Sequence, residues 1–311
     1  MTALPPWAVD GADEGPHPPG PEPLWNESWY LDLVADEDGV GAYVRIGRYP
    51  NLGVTWWTTA LTLPGRPPLR SVGTDLPLAD PPAAAVSGEG VDVTCTTLDP
   101  LTAVRVSGTC TGHELADVEQ VVDAPGAGVP ISLDLTWRTD GAPYAYGVTT
   151  RYEIPCLVEG TITVDGTPID VTGHGQRDHS WGVRDWWAFG WCWTAGRLDD
   201  GTRVHAADIR VGGHPLAFGY VQHPGGAVVP VTTLDVVDVP GTGRFPAGVT
   251  AAIGPDGPEV TITATAYGPL VLDAPDGRRS WFPRALARFE ASDGRRGSGW
   301  IEWNLPEPGA G

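Results

Sequence analysis

The run Arg177-Asp178-His179-Ser180-Trp181-Gly182-Val183-Arg184-Asp185-Trp186-Trp187 places two arginines, two aspartates, a histidine, a serine and three tryptophans in 11 consecutive positions. On an extended strand, side chains alternate between faces, so Arg177, His179 and Trp181 share one face while Asp178 and Ser180 take the other. An imidazole that titrates near neutral pH beside an indole, whose face stabilises positive charge, is a useful pair for chemistry through a carbocation. Such chemistry also needs an acid. The segment Arg203 to Val211 offers Asp208, with the small Ala206 on the same face leaving room for a ligand. A carboxyl buried among aromatic residues has its charged form disfavoured, so Asp208 is expected to hold its proton and act as a general acid.

The same residues admit a structural reading. Arg177-Asp178 and Arg184-Asp185 would then be ion pairs that fix a turn or scaffold, and Trp186, Trp187, Trp191 and Trp193 would fill a core rather than shape a substrate. Asn26-Glu27-Ser28-Trp29-Tyr30 is a second polar-aromatic cluster. It either plugs the first unit as an N-terminal strand, the preferred reading, or lends Glu27 and Tyr30 to a cavity. Ser180 beside His179 makes no triad, because adjacent strand residues point apart, and no G-x-S-x-G elbow occurs. Gly173-His174-Gly175 lacks the third glycine of a dinucleotide fingerprint, and the histidines form no HxH or HExxH pair, so neither a cofactor nor a metal site is expected.

The elements that must position these residues read as strands. The 42 glycines and 32 prolines among 311 residues separate short Val-, Thr-, Ile- and Trp-rich stretches, and no long window has a helical period. Ile131, Leu133, Leu135 and Trp137 alternate with polar residues, and Asp165-Gly166 reads as a hairpin turn. The expected fold is all-β, two tandem antiparallel barrel or sandwich domains over residues 24–148 and 149–305. Residues 1–23, with seven prolines and four acids, form an arm that is mobile or laid over the surface and is expected to be poorly anchored.

A net charge of −20 disfavours nucleic acid and anionic membrane surfaces. All 19 cationic residues are arginine, which excludes a lysine Schiff base and a P-loop lysine. The four cysteines form no CxxC pair, and no apolar run is long enough to span a membrane, so a cytoplasmic address is expected.

The sequence GHGQRDHSWGVRDWW, preceded by GTITVDGTPIDV, resembles the signature of the carotenoid 1,2-hydratase (hydroxyneurosporene synthase) and AttH-like superfamily, whose architecture fungal lipocalin-type Diels-Alderases share. The match covers about residues 160 to 195. The resemblance implies two lipocalin-like domains with a hydrophobic pocket and a cofactor-independent reaction on an isoprenoid or polyene. It matches the hydratases' His-x-Trp pair to His179 and Trp181 and their acid to Asp208, while their tyrosine position falls on Ala206. The expectation is an enzyme that protonates an alkene, for hydration, isomerisation or cyclisation. Trp186, Trp187, Trp191, Trp193 and Tyr30 would bind substrate, and Arg177, Asp178, Arg184 and Asp185 would support the site. A ligand carrier and a pericyclase are the alternatives.

Overall fold

The computed structural model describes residues 8–37, 39–121, 126–211, 214–254, 257–274 and 276–307. The chain divides into two compact units, one of residues 1–114 and 125–184, the other of 115–124 and 185–311. Among the described residues there is no α-helix, and no helix long and apolar enough to cross a membrane.

Among the described residues the first unit has eleven strands: β1 (Trp25–Ala35), β2 (Val40–Tyr49), β3 (Val54–Thr62), β4 (Leu69–Leu76), β5 (Ala85–Gly88), β6 (Val91–Asp99), β7 (Ala103–Glu114), β8 (Gly128–Thr139), β9 (Tyr144–Ala145), β10 (Arg151–Val164) and β11 (Thr167–Val183). They pair antiparallel in the order β4-β3-β2-β1-β11-β10-β8-β7, and β7 pairs back to β4. The ring is therefore a closed eight-stranded barrel, a size whose interior holds side chains or one small ligand. Ile131, Leu133, Leu135 and Trp137 are all buried, as their alternation requires, and join Leu33, Val44, Ile154 and Val158 in the barrel core. Asp165 and Gly166 both take positive φ, 49° and 77°, which makes the two-residue hairpin that joins β10 to β11.

The boundary expected at residues 148/149 falls inside this barrel, and the unit instead ends at Arg184. The physical reason is long-range pairing. β11 hydrogen-bonds to β10 on one side and to β1 on the other, so the strand carrying the His-x-Trp pair completes the first sheet. Gly173 and Gly175 permit this close approach, since a Cβ at either position would collide with the backbone of Val34 or Asp32 on β1.

Among the described residues the second unit is another eleven-stranded antiparallel sheet, with β12 (Gly190–Leu198) lying between β13 (Arg203–Val211) and the closing strand Arg296–Pro306. Its core packs Val204, Ile262, Phe289, Ile301 and Trp303.

Candidate active site

Three rungs across neighbouring strands build the site on the inner barrel wall. Leu31 of β1, Arg177 of β11 and Ile154 of β10 are opposite one another; so are Trp29, His179 and Tyr152; and Glu27 stands opposite both Trp181 of β11 and Arg48 of β2. The alternation expected for Arg177, His179 and Trp181 thus places all three inward. A cavity of about 330 Å³ lies here, lined by Arg177, His179, Trp29, Leu31 and Val104 and bordered by arm residues Glu14 to Pro16.

His179 is 1% exposed, with its Nε2 3.1 Å from Glu27 Oε1. An ionised carboxylate only accepts, so Nε2 carries the proton; Nδ1 is then the accepting nitrogen, 3.4 Å from the Tyr152 hydroxyl. Burial pushes the imidazole below its ordinary value, more than Glu27 pulls it up, so the ring is neutral at neutral pH. Burial alone would raise Glu27. Hydrogen bonds from His179, the charge that its ring carries in the acidic range where a carboxyl titrates, and further bonds from His17 outweigh it and hold the carboxyl below its usual range. Arg48 Nη1 donates to the other oxygen, Oε2, at 2.9 Å. Burial raises the Tyr152 phenol well above its ordinary value, so it keeps its proton.

The arm is anchored, against expectation, because it supplies partners for buried groups. The short 3-10 turn Gly11–Glu14 delivers Glu14, whose oxygens accept from Arg177 Nη1 at 2.8 and 3.0 Å. The His17 backbone N–H and Nδ1 both donate to Glu27 Oε1, at 2.9 and 2.8 Å, and its ring stacks on Trp181 with centroids 3.7 Å apart. Asn51 pins the arm further along by donating to the carbonyls of Gly20 and Glu22.

His17, Glu27 and His179 bring three ligand atoms within 4.8 Å of one another. Two imidazoles and a carboxylate form a donor set that divalent transition metals accept, although no metal site was expected from the sequence. As placed, both imidazole protons point at the same carboxylate oxygen and Arg48 takes the other, so the cluster is satisfied as a hydrogen-bonded unit.

Several expected site residues lie elsewhere. Asp208 belongs to the second unit, where Arg210 Nε donates to its Oδ2 at 2.9 Å, and it is not among the residues lining the cavity. A carboxylate held by a guanidinium is not the isolated acid among aromatic residues expected from the sequence. Arg210 stands two residues on, hence on the same face of β13, and that spacing was a signal available in the sequence.

Trp186, Trp187, Trp191 and Trp193 also belong to the second unit and do not line the cavity. Trp186 packs on Trp191 and Phe282, Trp187 Nε1 donates to the Leu272 carbonyl, Trp191 Nε1 donates to Glu302, and Trp193 packs near His205. Tyr30 faces the other side of β1, where its hydroxyl donates to Asp32, so Glu27 rather than Tyr30 reaches the site.

The expected Arg177–Asp178 and Arg184–Asp185 pairs are not found among the described residues; Arg177 and Asp178, adjacent on β11, face apart, and Arg184 and Asp185 lie beyond the end of that strand. Arg177 pairs with Glu14, Asp178 with Arg151, and Asp185 with Arg278. Asp178 belongs to a buried network on the opposite face, in which Arg151 serves both Asp178 and Glu153. Burial, with the neighbouring Glu153 charge, pushes Asp178 up to about 7 despite Arg151.

An eight-stranded barrel with polar groups around a mostly apolar cavity, followed by a second antiparallel sheet, defines a tandem lipocalin-like protein. The chain shares this fold with a Nitrosomonas europaea protein assigned as AttH, at 17% identity and TM-score 0.69, over 97% of this chain and 98% of that one. It shares it also with kievitone hydratase from Nectria haematococca, at 14% identity and TM-score 0.66, over 98% of this chain and 94% of that one. For CghA the values are 12% and 0.56, over 91% of this chain and 88% of that one. A family model described as a domain of unknown function, DUF7064, matches residues 10–307, and the chain belongs to that family. No curated protein matches it in sequence.

Proposed function

We propose that the chain is a cofactor-independent hydro-lyase or isomerase, cyclisation included, acting on a small hydrophobic isoprenoid- or polyketide-like substrate in the cavity of the first barrel. One observation carries this reading: His179, neutral and fully buried, lies between the Glu27 carboxylate and the Tyr152 hydroxyl on the wall of that cavity. A neutral imidazole backed by an ionised carboxylate takes a proton and returns it, which is general acid–base catalysis. Glu27 fixes the tautomer and stabilises the imidazolium that forms; Trp181 and His17, stacked, cover the cation.

An imidazolium is too weak an acid to protonate an isolated alkene, so the chemistry favoured here is at a double bond activated by conjugation to oxygen. Asp208 is replaced as the proton-transfer group by His179. The cavity volume lies at the low end of ligand pockets, about 300–1,000 Å³, so a short skeleton fits within it and a long polyene would extend beyond it. That kievitone hydratase shares the fold supports a hydratase reading.

The test is turnover in D2O with conjugated terpenoid and phenolic substrates. Deuterium at carbon, lost in His179→Gln and kept in Asp208→Asn, supports the proposal. Ligands returned unlabelled identify a carrier, and turnover without label identifies a pericyclase.

A further inference from the structure

Arg177 is 4% exposed and lines the cavity, yet only part of its guanidinium is engaged. Glu14 occupies Nη1 with both oxygens. Nε and Nη2 are buried and meet no acceptor among the described residues. Buried donors on a charged group are costly to leave unmet, and a ligand acceptor would satisfy them.

The Nε and Nη2 hydrogens point in parallel and match the two oxygens of a carboxylate. This chain uses that edge in the same way on its surface, where Arg105 Nε and Nη2 each donate at 2.7 Å to the two oxygens of Asp134. The chain also repeatedly gives one guanidinium two carboxylates. Arg151 holds Glu153 and Asp178, Arg210 holds Asp208 and Asp238, Arg278 holds Asp185 and Asp276, and Arg295 holds Asp200 and Asp293. The prior Glu14 pair is therefore no bar to a second carboxylate on Arg177.

We infer that the substrate carries a carboxylate, and that the Nε and Nη2 edge of Arg177 grips it at one end of the cavity. The inference rests on the reading of the cavity as the substrate site. Arg177 and His179 are next neighbours on one face of β11, roughly 7 Å apart along the strand. A ligand held at Arg177 lays its adjoining apolar part across Trp29 towards His179, which stacks on Trp29 with ring centroids 4.6 Å apart. The ligand class is a short unsaturated carboxylic acid with an apolar body.

The experiment is calorimetric titration of the full chain with three acid and alcohol pairs: geranic acid and geraniol, farnesoic acid and farnesol, cinnamic acid and cinnamyl alcohol. At least one acid should bind about 10- to 100-fold more tightly than its alcohol, the range expected of charge-assisted hydrogen bonds. Arg177→Lys keeps a cation facing Glu14 but removes the fork. It should erase most of that preference while changing alcohol binding less than about threefold. Glu14→Gln keeps the fork and removes the competing charge, so acid binding should hold or tighten.

No preference for any acid, no saturable binding by all three acids, or a folded Arg177→Lys that retains the preference would overturn the inference. If Arg177→Lys does not fold, the wild-type preference and the Glu14→Gln response decide. Acid-selective binding without deuterium incorporation supports the subsite and refutes the proposed reaction. Label in the alcohols without acid preference does the reverse.

Discussion

Replacing Glu27 by glutamine tests whether the buried charge at the centre of the site is held as described. The Glu27 side chain is wholly inaccessible, and Arg48, the cation on its Oε2, is 5% accessible. The substitution leaves Arg48 buried opposite a neutral amide. Removing one partner of a buried ion pair costs about 3–5 kcal/mol. The three N–H groups on Oε1, two from His17 and one from His179, lose a charged acceptor but keep an amide oxygen, so their contribution is the smaller and does not simply add. The expected loss is therefore about 3–5 kcal/mol for the first barrel.

Because two units can unfold separately, the assay must resolve the barrel. Hydrogen exchange of β1, β2 and β11 under urea, followed by mass spectrometry, does so. The control is Glu27→Gln combined with Arg48→Met, which removes both charges and should recover much of the loss, since an apolar replacement of a buried pair is often neutral. A cost below about 1 kcal/mol for Glu27→Gln, the value of an exposed pair, would refute the buried-pair account, as would a double variant no more stable than the single one.

Other perturbations give distinct readouts. Asp178 is raised to about 7 in the folded state, so the folded protein binds the extra proton and stability falls as pH rises from about 4 to about 7; it is retained below that window. Asp178→Asn should flatten this slope, by up to about 4 kcal/mol across the window, in denaturation at a series of pH values; an unchanged slope would show that the proton resides elsewhere. Asp208→Asn leaves Arg210 with Asp238 on a partly exposed pair, so stability should change by about 1 kcal/mol or less. His17→Ala removes one stack and the ring hydrogen bond, and should destabilise by about 1–2 kcal/mol and speed proteolytic cleavage within residues 8–23. Chelation should leave turnover unchanged and elemental analysis should find less than one metal per chain; stoichiometric zinc with loss on chelation would instead make His17, Glu27 and His179 a metal centre.

What was legible in the sequence was local. The faces of Ile131 to Trp137 and of Arg177 to Trp181, and the Asp165-Gly166 hairpin, follow from period two and from turn chemistry, and the structure has them all. Partners across the barrel were not legible. Glu27 was in view only as one option beside plugging, and nothing in the pattern of β1 says that it registers against β11. Glu14 and His17 lay in a proline-rich arm whose composition suggests looseness, and the buried Arg177 guanidinium and Glu27 carboxylate that they meet account for its order. The domain boundary failed for the same cause, since strand patterns do not announce which distant strand they pair with.

The pairing of the first strand with the last strand of its barrel bears on how the chain is made. Glu14 and Arg177 are 163 residues apart, and Glu27 and His179 are 152. At about 5–20 residues per second of synthesis, β1 waits on the order of ten seconds or more with one edge unpaired before β11 emerges. Such non-local closure is slow and exposes the nascent chain to aggregation. A fragment ending near residue 148 would keep that edge permanently open, so the barrel, and with it the site, can form only after the first 183 residues have left the ribosome.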